Sequence, residues 1–83
     1  MKTKRPTTNE NAAAYASASN DIARLIDVLQ QELAKHNERA KNNPRNGGLT
    51  GDLLKVRDDL LWTTAFISGM ERTDIEAFLD DAN

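Results

Sequence analysis

The stretch Leu53–Met70, LLKVRDDLLWTTAFISGM, constrains this chain more than any other, because it is the most apolar segment in an otherwise polar sequence and holds the single tryptophan. At 100° per residue, Leu53, Val56, Leu60, Thr64 and Ile67 fall on one helical stripe, flanked by Leu54, Leu61, Ala65 and Ser68. Trp62, Phe66 and Met70 recur at i, i+4, i+8 on nearly the opposite side. From Leu60 onward such a helix is apolar almost all round, and that pattern belongs to a buried helix. A chain of 83 residues has few elements with which to bury it, so one face is expected to meet the chain's own helices and the other a second copy or a different partner.

Upstream, the helical phase is long and regular. Thr8 or Asn9 can cap a helix that has Glu10 in its first turn, where a negative charge favours the dipole. Five alanines between residues 12 and 18 add intrinsic propensity. Tyr15, Ala18, Ile22, Leu25 and Leu29 follow strict a/d heptad spacing, with Ile26 and Leu33 on the same stripe. This continuity predicts one helix over about residues 9–42, roughly 50 Å long at 1.5 Å per residue. A competing reading starts the helix at Ser19 or Asn20, with Asp21 in the first turn.

The run Asn42-Asn43-Pro44-Arg45-Asn46-Gly47-Gly48 stops that helix, since proline lacks the N–H a helix needs and Asn and Gly tolerate left-handed backbone. We therefore expect a turn at about 43–50 and an antiparallel return. Thr50 or Asp52 is expected to cap the central helix, about 51–68, with Gly69 as its stop. Thr73 and Glu76 have capping-box spacing for a short helix at about 74–81 that would bury Ile75, Phe78 and Leu79. No segment has the period-two alternation of a strand. The expected fold is all-α: an antiparallel helical hairpin plus a short third C-terminal helix, two copies of which dimerise into a four-helix-bundle-like core. Residues 1–8 are read as a flexible basic arm and 9–82 as a single helical domain.

Composition narrows the functional classes. With 39% apolar and 29% charged residues and no cysteine, disulfides and thiolate metal sites are excluded, and a cytoplasmic location is expected. No run approaches the ~20 apolar residues of a membrane span. Charge is uneven: residues 1–19 carry +2, 20–47 carry +1 and 48–83 carry −5.

Candidate chemistry is sparse. Asn46-Gly47-Gly48-Leu49-Thr50-Gly51 is glycine-rich but lacks the preceding strand and the Lys-Ser/Thr pair of a phosphate loop, so it is read as an interhelical turn. His36 and Glu32 share a face and could supply two metal ligands, yet the further carboxylates of a di-metal bundle are missing. Asp58-Asp59 and Asp80-Asp81 are neighbours that point about 100° apart on a helix, so neither pair converges on one substrate atom. No catalytic residue, cofactor or metal is therefore expected.

What remains is binding. Tyr15, Ile22, Leu25, Leu29, Trp62, Phe66 and Met70 are the expected self-association or partner contacts, and the favoured reading is a non-enzymatic interaction or regulatory module acting as a homodimer. The alternative is a nucleic-acid-associated protein using the basic arm, Lys2, Lys4 and Arg5, with Lys35, Arg39, Lys41 and Arg45 as a second basic cluster. A pI of about 5.3 weighs against that alternative.

Overall fold

The computed structural model describes residues 8–82, which form three α-helices joined by short turns, with no strand among them. The basic arm, with Lys2, Lys4 and Arg5, lies outside the described residues. Helix α1 spans Thr8–Asn42, α2 spans Gly47–Ser68 and α3 spans Arg72–Ala82. The chain divides between Arg39 and Ala40 into two units.

The first unit is the body of α1. Its helix runs unbroken through Ser17, Ser19 and Asn20, so the later start at Asn20 is not used. Glu10 occupies the first turn as the dipole favours.

The second unit begins with the last turn of α1, which ends against a β-turn. Asn46 N–H donates to the Asn43 carbonyl at 3.0 Å, placing Pro44 and Arg45 at the two central positions. That turn delivers Asn46, with φ −83° and ψ 96°, as the cap of α2. Its side-chain oxygen accepts from Gly48 N–H at 3.0 Å. The central helix therefore starts four residues before its expected position, and Thr50 and Asp52 lie inside it. Glycines 47 and 48, expected in the loop, form its first turn. A Cβ on Gly48 would come within 3.1 Å of the Asn46 oxygen, so the bare backbone leaves the cap its room.

At the far end Gly69 takes the left-handed conformation, φ 76°, and its N–H donates to the Ala65 carbonyl at 3.0 Å. Ser68 Oγ reinforces the exit by donating to the Thr64 carbonyl at 2.6 Å and accepting from Met70 N–H at 3.1 Å. The Glu71 carbonyl then accepts from Asp74 N–H at 3.0 Å and from Ile75 N–H at 3.2 Å. The first turn of α3 thus closes on Glu71, two residues ahead of the expected Thr73 cap, and Glu76 is turned toward Arg72 instead.

Helix α3 packs on α2, and this corner holds the buried apolar side chains, Leu61 at 3% exposed and Ile75 at 7%. The inward face of α2 follows the expected stripe at Leu53 and Val56, which are half-buried, and departs from it farther along. Leu61 is buried and Asp58 and Ala65 are half-buried, whereas Leu60 and Ile67 are exposed. Positions 58, 61, 62 and 65 share a helix face, and the reversal at Gly69 brings α3 back over it. Of the α3 side chains expected to be buried, Ile75 is buried and Leu79 half-buried, but Phe78 is exposed.

Candidate functional site

Two surfaces hold the residues that sequence reasoning singles out. The first is the apolar stripe of α1. Tyr15 is 77% exposed and Leu25 64%, and Ile22, Ile26, Val28 and Leu33 are exposed beside them, with Leu29 half-buried. Heptad spacing places these side chains along one broad face of a 35-residue helix, which at 1.5 Å per residue is about 52 Å long. Lys35 Nζ sits 2.9 Å from Glu32 Oε2 along the edge of this face, an exposed i, i+3 ion pair.

The second surface lies on the α2–α3 corner. Phe66 is 90% exposed, and Ile67, Met70 and Phe78 are exposed as well. Trp62, also exposed, has a cation against its ring. The Arg72 guanidinium lies over its ring, 4.9 Å from the centroid, within cation–π range. Arg72 Nη2 also donates to Asp58 Oδ1 at 2.6 Å and stands 3.8 Å from Glu76 Oε2. Arg72 covers one face of the indole, and 56% of the residue stays open. Arg72 was not among the expected site residues. Its role depends on a reversal at Gly69 that brings position 72 back to positions 58 and 62, and no local pattern announces that pairing.

No group of three or more His, Asp or Glu among the described residues could hold a metal ion. Asp58 faces Arg72 while Asp59 accepts from Lys55 Nζ at 2.6 Å, so the adjacent carboxylates diverge onto different partners. The hydrogen bond from the Lys55 ammonium to Asp59, and then the charge attraction between them, raise the Lys55 pKa above the ordinary lysine value.

Arg39, Lys41 and Arg45 are exposed, the first two on α1 and the third in the turn. Beyond residue 20 on α1 the cations Arg24, Lys35, Arg39 and Lys41 are interspersed with Asp21, Asp27, Glu32 and Glu38. A phosphate backbone would meet both signs along that helix, which weakens the counterion-release driving force a basic face supplies. No helix among the described residues is long and apolar enough to cross a membrane.

No family model, curated protein or solved structure matches this chain.

Proposed function

We propose that this chain is a small interaction module without catalytic chemistry, and that it works by self-association through its helix faces. The observation that carries this reading is the open apolar stripe of α1, running from Tyr15 to Leu33. Helices in water draw most of their stability from burying an amphipathic face, so a stripe of this length calls for a cover. A second copy supplies one by symmetry, since the same stripe is present on both chains. In this reading α1 and α2 turn back on one another as an antiparallel hairpin, two hairpins form a four-helix-bundle-like core, and Trp62, Phe66 and Met70 extend the seam.

The test is the solution mass of the full chain by light scattering across a hundredfold concentration range, with Leu25→Asp as the variant. A wild-type dimer that Leu25→Asp converts to a monomer is the expected result. A wild-type monomer at every concentration overturns the proposal.

A further inference from the structure

The proposed self-association leaves two orientations for a pair of α1 helices, and the charges flanking the stripe discriminate between them. With Tyr15, Ile22 and Leu29 at a and Ala18 and Leu25 at d, the same heptad frame puts Glu32 and Arg39 at d and puts Asp21, Val28 and Lys35 at g. In a parallel, in-register pair each d residue faces itself. Glu32 would meet Glu32 and Arg39 would meet Arg39, two like-charge contacts inside the seam.

An antiparallel pair crossing near residue 27 removes both clashes. Leu25 of each copy then packs beside Leu29 of the other. Ile26 and Val28 meet their own counterparts on either side of the twofold axis, and both are exposed in the single chain. Tyr15 comes opposite Arg39 of the second copy, an aromatic–cation pairing. Asp21 comes opposite Lys35 of the second copy. Lys35 already holds Glu32 at 2.9 Å along the same helix, so Asp21 would join an existing ion pair as its third member. The small residues Ala12, Ala14 and Ala18, at e, g and d, line the amino-terminal part of α1, and in this arrangement they face the bulkier carboxyl-terminal part of the other copy.

We infer that two copies associate through antiparallel α1 helices crossing near residue 27, with Asp21 and Lys35 paired across the interface. The inference rests on the self-association proposed above and adds the orientation and the residues that set it.

The absence of cysteine allows a single spin label on the full chain at Ala16→Cys, on the polar side of the heptad frame. In the antiparallel pair the two labels stand about 33 Å apart along the axis, from 1.5 Å per residue. In a parallel pair they are separated only by the interhelix spacing of roughly 10 Å plus the label arms. The expected result is a long label distance, combined with a charge-swap pattern. Asp21→Lys alone should raise the dissociation constant roughly tenfold, because two symmetric ion pairs become repulsive, and adding Lys35→Asp to the same chain should recover most of that loss. A dimer with a short label distance, or a double variant that binds no better than Asp21→Lys, overturns the antiparallel assignment while leaving self-association in place. A wild-type chain that is monomeric throughout overturns self-association itself.

Discussion

Replacing Leu61 by alanine should unfold the α2–α3 corner more effectively than any other single truncation of an apolar side chain in that unit. Leu61 is the most deeply buried of them, and the change deletes three carbons from its side chain. At about 0.8 kcal/mol per buried methylene the transfer loss is about 2.4 kcal/mol. A cavity term adds to this, but only two helices line the site, and neighbours in so thin a layer can collapse or admit water. The total should therefore stay near the lower end of the Leu→Ala range, about 3 kcal/mol. A corner with two buried apolar side chains has little stability to spare, so a loss of this size should leave much of the population open at 25 °C. The assay is urea denaturation followed by fluorescence of Trp62, the sole tryptophan, which sits against Arg72 in the same corner. It should be run at a dilution where light scattering reports single copies, because association would add its own stabilisation. Phe66→Ala is the control: the ring is almost fully open, so in a single copy its truncation should move the midpoint hardly at all. If the two variants shift the midpoint equally, the corner is not held by Leu61 and the packing argument fails.

Four further outcomes follow from the same geometry. Gly69→Ala should cost about 1 kcal/mol from the left-handed backbone alone, since a Cβ there meets nothing within 4 Å; a neutral result in thermal denaturation would mean that α2 does not end in this conformation. Asn46→Ala should cost about 1 kcal/mol through loss of the cap while Thr50→Ala costs little, and the reverse order would restore the cap to Thr50. Arg72→Lys keeps the charge but loses the planar stack on Trp62, so it should cost roughly 0.5–1 kcal/mol and alter Trp62 emission; a loss that vanishes in 1 M salt would show that only the screened ion pair with Asp58 mattered. For Lys55 the folded pKa is raised, so the stabilisation from Asp59 is fully present below the ordinary lysine value and fades as pH climbs through the raised one. Titration of Lys55 by NMR should show that value dropping to normal in Asp59→Asn, and no change would refute the pairing.

Helix existence was legible because its signals are local. The a/d spacing from Tyr15 to Leu29, the proline at 44 and the glycine at 69 each act within a turn or two, and α1 ends at Asn42 and α2 at Ser68 accordingly. The start of α2 was not legible in the sequence, for an equally local reason. Asn46, Thr50 and Asp52 are all competent caps, and propensity disfavours glycine inside a helix, so the later candidates looked better. The β-turn at Asn43–Asn46 decided the matter by setting the backbone of Asn46 to the extended geometry a cap requires.

The face of a helix that ends up inside is a different kind of question. Leu60 and Leu61 are identical side chains 100° apart, and nothing in their neighbourhood ranks them. The choice fell to Leu61 because the left-handed turn at Gly69 lays α3 over positions 58, 61, 62 and 65. The same reversal sets Arg72 on Trp62 and leaves Phe66 and Phe78 open. What the amino-acid order determined by itself was where helices form, where they stop, and that α1 carries an apolar stripe, because those properties arise from contacts within four residues. Which side chains are covered, and which aromatic ring meets a cation, was decided only by the path of the chain between helices, because a turn's dihedral angles select among faces that are equivalent in sequence.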